Sequence, residues 1–372
     1  MKSADILIIG GGLMGCSTAM NLRRRGKSVI VLERGFSGGQ ASGVNAGGVR
    51  RLWRDPREIP LSLAAQELWH RIESLVGSDC GFRPCGQISL AENEHEMRIY
   101  EERVELVRSL GYDHEILVDK QQLKRIVPHV SSHCVGGLYC PGDGAAEPFK
   151  TTRTFFDRAR QLGAQLFEHH PVSAIERRAG KWAATAGGER FSAPILANCA
   201  GAWGAQIAER IGDHAPLYQK ASILTVTART ALFLEPVVLL EGRKLSFKQM
   251  ANGTVVIGGG FDARLDTATE ISRIDFNELK TMAQTVLDLF PFLQQVPIVR
   301  CWPGIIGRMP DNIPVIGPSL NAPDAYHAFG FSGHGFQLGP IIGQVLSELI
   351  LDGRPSIPLD AFRIERFGKK EQ

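Results

Sequence analysis

Ile6-Leu7-Ile8-Ile9-Gly10-Gly11-Gly12-Leu13-Met14-Gly15 is the stretch whose reading decides the fold. Four consecutive apolar residues bounded by glycine predict a short strand buried on both faces, as in a parallel sheet. The glycines satisfy G-x-G-x-x-G and open a helical stretch that reaches about Arg25, where Gly26 closes it. Ser28-Val29-Ile30-Val31-Leu32 reads as a second strand and ends at Glu33, 18 residues beyond Gly15. Each part has a physical reason. Gly10 permits the tight turn, Gly12 lets a pyrophosphate approach the backbone, and Gly15 lets helix and strand pack closely. The first turn of the helix, with Leu13 and Met14, presents free N–H groups and a partial positive charge. Glu33 is placed to accept hydrogen bonds from a ribose, and its charge repels a 2′-phosphate. A tight turn without a ligand is the competing reading. Strand, glycines, helix, strand and terminal acid in this order favour a dinucleotide site.

This unit alone does not separate FAD from NAD. The segment Gly38–Arg51 is rich in small residues and reads as a loop lying along an extended ligand, with Ser42, Asn45, Ala46 and Gly47 offering contacts. An NAD domain would proceed directly to its next helix. Near the other end, Tyr326–Phe329 reads as a strand running into Gly330-Phe331-Ser332-Gly333-His334-Gly335-Phe336, and an apolar helix follows from about Leu338 to Leu351. This second glycine-rich turn aims a helix N-terminus at something electron-rich. In a flavoprotein that is the N1–C2=O edge of the isoalloxazine. His334 is read as a turn histidine beside the ring, with catalytic base as the alternative. A third strand, from Ile195, ends at Ala200-Gly201-Ala202-Trp203. Arg34, Val172, Ala200, Gly201, Trp203, Gly304, Gly333, His334, Gly335, Phe336 and Gln337 complete the expected cofactor contacts.

Bulk properties are ordinary for a soluble globular protein. The 372 residues suggest two domains. Hydrophobic residues make up 44% and charged residues 22%, and a net charge of +3 is too small for a nucleic-acid or polybasic membrane role. No run of eighteen apolar residues marks a membrane span, and Met1–Asp5 leaves no room for a signal peptide. The seven cysteines are odd in number and scattered, which points to reduced thiols in a cytoplasm. There is no C-x-x-C, and no metal site is expected.

The chain resembles the D-amino-acid oxidase-like superfamily of FAD enzymes. The resemblance rests on GGGLMG at 10–15, Glu33-Arg34, SGVNAGGVRR at 42–51, ANCAGAW at 197–203, CWPGIIGRMPDNIPVIGP at 301–318 and GFSGHGF at 330–336. The loop at 42–51 is most similar to the opine oxidase and D-hydroxyproline dehydrogenase branch, alongside the flavoprotein subunit of hydrogen cyanide synthase. The resemblance implies an α/β fold: a Rossmann-like FAD domain from residues 1–79, 143–212 and 305–372, and a substrate domain on a large mixed sheet from 80–142 and 213–304. It also implies oxidation of the C–N bond of an amino acid, imino acid or secondary amine by hydride transfer to flavin N5. Arg50 matches an arginine beside the flavin. Three family positions for carboxylate recognition are changed, to Trp53, Ile306 and Gln337, so Arg51, Arg54 or Arg308 would have to substitute. The expected catalytic set is Arg50, Arg51, Arg308 and His334. Cys301 aligns with a cysteine that holds flavin covalently in monomeric sarcosine oxidase, but noncovalent FAD is the favoured reading. Resemblance to multisubunit relatives further implies a dehydrogenase that passes electrons to partner subunits carrying iron–sulfur, flavin or nucleotide groups. A stand-alone oxidase using O2, an NAD enzyme and a non-catalytic flavin-binding assembly protein are the alternatives.

Overall fold

A computed structural model describes residues 1–368. Ile6–Ile9 lies at the heart of a six-stranded sheet, between Ile195–Asn198 and Val29–Leu32, both parallel to it. The sheet continues to Gln165–Phe167 on one side and to Ala325–Phe329 and the antiparallel Val315–Pro318 on the other. Strand alternation divides the first strand between two cores. Ile6 and Ile8 pack with four helices, Leu13–Arg24, Ile59–His70, Pro148–Gln161 and Gly335–Asp352. Leu7 and Ile9 pack with Trp182, Ala184 and Phe191 of a small four-stranded sheet. Burial on both faces is why the run is continuously apolar, each side chain contributing about 1.5–3 kcal/mol.

The predicted turn geometry is present. Gly10 has φ +106°, Gly26 has φ +77° just after the first helix, and Gly353 ends the last helix with φ +67°. The expected loop Gly38–Arg51 is more ordered than composition suggests. Ala41–Val44 forms one helical turn, closed by the Asn45 amide donating to the carbonyls of Ala41 and Ser42, and Gly48–Val49 pairs with Gly144–Ala145. Propensity of single residues missed this because a side chain and a distant strand supply the hydrogen bonds.

The second large element is a ten-stranded mixed sheet. Its strands come from residues 87–140 and 218–308, and Ile298–Arg308 pairs with Tyr218–Thr227 along almost its whole length. The boundary expected at 304/305 therefore falls inside an unbroken strand. Gln87–Ala91 and Val255–Gly258 are two strands of this sheet, and the helix Glu94–Ser109 packs on it. One face of the sheet packs Ile88, Val238, Phe247, Val255 and Ile257 against Met282, Val286 and Leu289 of the helix Phe276–Leu289. Phe247 is fully buried in this core and stacks on Phe290 at 4.9 Å.

The first and last helices touch along a seam of glycines. A Cβ on Gly339 would meet the movable end of Leu13, whereas one on Gly343 would meet both the hydroxyl and the backbone of Ser17. Alanine is the better helix former by about 1 kcal/mol, so an uncrowded site would gain from G343A. Here the backbone contact has no means of relief, and G343A is expected to lose about 1–3 kcal/mol. Thermal and denaturant midpoints should fall for G343A and fall less for G339A; a raised midpoint in G343A would contradict this packing.

Candidate cofactor cavity and redox site

A cavity of about 370 Å³ opens at the carboxyl ends of the six-stranded sheet. Its floor is the first turn: Gly10, Gly12, Leu13 and Met14 all line it. A Cβ on Gly10 would run into the carbonyl of Cys199, and one on Gly12 would come 2.9 Å from the Ser42 hydroxyl. The Leu13 N–H donates to Ser42 Oγ at 3.0 Å, so the loop after the second strand is tied to the helix start. Glu33 lines the wall, and its two carboxylate oxygens accept from the N–H groups of Gly11 and Gly35, both at 2.8 Å. Gly15 does not line the cavity. It lies against the Gly10 carbonyl, as its reading for close packing requires.

Other predicted contacts divide in the same way. Ser42, Asn45, Val172, Ala200, Gly201 and Trp203 line the cavity, as do Gly333, Gly335 and Phe336 at its far end. Ala46, Gly47, Gly304, His334 and Gln337 do not. Gly47 abuts the Ala146 carbonyl, and Gly304 abuts Val44, whose carbonyl accepts from Trp302 Nε1 at 3.0 Å. Cys301 stays free and half-buried, and it too is absent from the cavity wall.

The mouth carries a clasp that sequence reading missed. The Arg34 guanidinium lies 3.5 Å above the Trp203 ring and pairs with Glu270 at 2.6 Å, while Trp203 Nε1 donates to the same carboxylate. Glu270 has φ +55° in the turn between Asp262–Asp266 and Ile271–Arg273, strands of the other sheet. No local signal in the sequence links it to the cavity.

At the far end, the helix Gly335–Asp352 begins without a side-chain cap. Its N-terminal dipole therefore stays available to the cavity. Behind it, His334 Nδ1 lies 2.8 Å from Oε2 of the fully buried Glu58. Burial, with Arg54 and Arg50 adding to it, pushes the imidazole down to about 4 against the opposing pull of Glu58, so His334 is neutral at pH 7. Burial pushes the Glu58 carboxyl up, but its hydrogen bond and the nearby cations outweigh this and hold it below the usual range. An ionised carboxylate only accepts, so Nδ1 carries the hydrogen and Nε2 is the acceptor.

The arginines take different roles. Arg50 donates to the Leu52 carbonyl at 2.9 Å. Burial lowers its affinity for the proton, against the pull of Asp143, Glu58 and Glu115. Arg54 is buried; burial and Arg50 push it down to about 10, still cationic at neutral pH. It donates to the Arg50 carbonyl and, more weakly, to Gln337 Oε1. Arg51 is committed elsewhere, to Asp143 at 3.0 Å and Cys140 Sγ at 3.3 Å. Arg308 bonds Asn312 at 2.8 Å and is also outside the cavity wall. Among the described residues, Trp53 Nε1, Arg54 Nη1 and Glu58 Oε1 are buried without a partner. Glu58 was not foreseen, because 276 residues separate it from His334.

These residues fit a dinucleotide with a redox-active ring: a glycine cradle, a ribose-facing acid, and two helix starts meeting at one cavity. A family model described as FAD dependent oxidoreductase (DAO) matches residues 5–349. The chain belongs to the DAO family of FAD dependent oxidoreductases. It is 26% identical over 393 aligned residues to the mitochondrial dimethylglycine dehydrogenase of Homo sapiens, a match that takes in 98% of this chain and 44% of that protein. The chain thus spans less than half the length of the first curated relatives it matches. It is 25% identical over 391 residues to a subunit of the opine oxidase of Rhizobium meliloti, across 100% of both. L-Proline dehydrogenase from P. horikoshii superposes with a TM-score of 0.91 at 25% identity, covering 98% of each chain. No helix among the described residues is long and apolar enough to cross a membrane.

For a DAO-family flavoprotein the clasp has a measurable consequence. A partly exposed ion pair contributes about 0–1 kcal/mol. Glu270→Gln keeps a hydrogen-bonding partner for Trp203 but removes the charge facing Arg34. FAD release, followed by the rise of free-flavin fluorescence on dilution, is expected to quicken by up to about fivefold. Slower release in E270Q would contradict the clasp.

Proposed function

We propose that this chain oxidises the C–N bond of an amino acid, imino acid or related secondary amine. The observation that carries the reading is the excess of positive charge behind the far end of the cavity. Of the carboxylates near Arg50 and Arg54, Asp143 and Glu115 are held by Arg51 and Arg103, which leaves Glu58 to offset two cations, and His334 beside them is neutral. FAD bound in the cavity supplies the hydride acceptor. The protein's part is electrostatic: two guanidinium groups and the Gly335–Asp352 helix start stabilise the negative charge that two-electron reduction brings to that end. His334 takes orientation from Glu58, and its neutral Nε2 can accept a hydrogen bond but does not add charge. The amine is oxidised in its neutral form, which no strong base in the chain is required to produce. The apolar cavity wall at Ile305, Ile306 and Phe331 keeps water away from that end.

The match to an opine oxidase subunit along its full length supports a second layer of the proposal, in which the chain is the flavoprotein subunit of a heteromeric dehydrogenase and hands electrons to a partner. A stand-alone oxidase is the rival reading. The seven free cysteines favour a reducing compartment such as the cytoplasm. The division into a cofactor domain and a substrate domain, apart from its 304/305 boundary, belongs to the same proposal.

The test is anaerobic titration of the FAD-loaded protein with glycine, sarcosine, L- and D-proline, D-hydroxyproline and opines, following loss of the visible flavin absorbance. At least one is expected to bleach the flavin, and Arg50→Met is expected to slow bleaching by about 10²-fold. A flavin that stays oxidised with every compound would sink the reading. Stopped-flow mixing of the bleached protein with air, against an artificial acceptor, should give slow reoxidation by air for a dehydrogenase and fast reoxidation for an oxidase.

A further inference from the structure

With the three family positions changed to Trp53, Ile306 and Gln337, the substrate's carboxylate still needs a cation. Two of the cations near the site are already matched. Arg51 pairs with Asp143, and Arg103 pairs with Glu115 at 2.7 Å. Arg50 and Arg54 have Glu58 close by and serve the far end of the cavity. Arg308 is bonded to Asn312.

Lys248 is a further buried cation without an ion pair among the described residues, on the strand Ser246–Gln249 of the large sheet. It is 5% exposed, and no carboxylate among the described residues lies within ion-pair distance of it. Its hydrogen-bonding partner is the Ala146 carbonyl, at 3.3 Å. An ammonium has three donors, and burying one without a counter-charge costs several kcal/mol. The position of Lys248 accounts for a charge held at that cost. Lys248 sits on Ser246–Gln249, opposite Val256, which is opposite Val226, which in turn is opposite Arg300. Trp302, two residues on and on the same face, reaches the Val44 carbonyl. This face of the ten-stranded sheet is thus turned toward the Val44–Arg50 loop, away from the Phe247 core. The ammonium stands 2.8 Å from where a Cβ on Gly47 would be, so that glycine keeps the space open. Gly47 is two residues after Asn45, which lines the cofactor cavity, and three before Arg50. Beside it, Gln87 flanks Gly48; its amide donates to the carbonyls of Val49 and Gly144, and its Oε1 is buried with no partner. On one sheet face, against the loop that leads from the cavity to Arg50, Lys248 has donors to spare for an anion, and the Gln87 oxygen beside it can accept from an N–H group of the same ligand.

We infer that Lys248 receives the carboxylate of the substrate, an anchor supplied by the large sheet in place of the lost family positions. This rests on the C–N oxidation proposed above. The charged and titratable neighbours are Arg83, Glu147 and Cys85. Burial pushes Lys248 down to about 8, with Arg83 adding to the fall and Cys85 and Glu147 opposing it. A group in that range is protonated at pH 7 and loses its charge as pH rises through 8, so carboxylate binding weakens on the alkaline side.

The test uses the FAD-loaded protein and carboxylates that have no basic amine. Pyrrole-2-carboxylate and methoxyacetate are titrated in while the visible flavin spectrum is followed, with pyrrole-2-carboxamide as the uncharged control. In the wild type, Kd is expected to be flat below about pH 7.5 and to rise up to about tenfold per unit above 8. Lys248→Met should weaken both carboxylates by at least about tenfold at pH 7, remove the pH dependence and leave the carboxamide unchanged. Lys248→Arg keeps its charge at all these pH values and should bind carboxylates at pH 9 as well as at pH 7. Removing an unpaired buried charge favours folding, so a raised melting temperature in K248M is expected too. Equal carboxylate affinity in K248M and wild type overturns the inference, as does a wild type that no carboxylate perturbs. Bleaching by amines without any effect of K248M on carboxylates sinks the anchor alone. Carboxylate binding that depends on Lys248, with no amine able to bleach the flavin, upholds the anchor and sinks C–N oxidation.

Discussion

The close approach of the first and last helices is the constraint on which the rest depends. Leu13–Arg24 and Gly335–Asp352 come from opposite ends of the chain, and their seam at Gly339 and Gly343 leaves no room for side chains on one partner. Because the seam fixes the two helices together, their N-termini open on the same cavity. One opens beside Gly12 and Ser42 and the other beside Gly333 and Phe336, all of which line the cavity. A helix start is a weak and short-range source of positive potential on its own. Two of them held at one cavity place positive potential at two points along it.

Charge around the cavity follows from what burial allows. Asp143 and Glu115 are fully buried and are bound by Arg51 and Arg103, and the same carboxylates accept backbone N–H groups from Arg51, Leu52 and Trp53. These pairs shape the segment that presents Arg50, and they leave neither Arg51 nor Arg103 free for a ligand. The residual positive charge is thus concentrated in Arg50 and Arg54 beside one glutamate, with Lys248 on the facing sheet. A low-dielectric setting makes such surplus charge costly in the empty protein and effective once an anion is bound.

The strand–turn–helix–strand unit at 6–33, the second glycine turn at 330–336 and the family were legible in the sequence because their signals are local. Apolar runs four residues long, glycines at fixed offsets and an acid at the end of a strand each report on their own neighbourhood. Even the boundaries came within a residue or two: Val29–Leu32 against Ser28–Leu32, and a first helix ending at Arg24 against Arg25. Reading failed where the partner was remote. Ala41–Val44 is helical because Asn45 closes the turn, and Gly48–Val49 is a strand because Gly144–Ala145 lies beside it. The place of Phe247 in the core is likewise set by a remote partner, Phe290, on which it stacks.

The sequence by itself determined that this chain would build a dinucleotide cradle and bring a second helix start to it, since both depend on backbone freedom and periodicity along the chain. Tertiary structure alone decided which charges are matched and which are free. Arg51 and Arg54 stand three residues apart and read alike, yet one is locked to Asp143 and the other faces Glu58 and Gln337. Glu58 meets His334 across 276 residues, Glu270 closes over Arg34 across 236, and Lys248 meets no carboxylate among the described residues. The strength of an ionic contact depends on separation in space and on the water left around it, and neither is written in the order of residues.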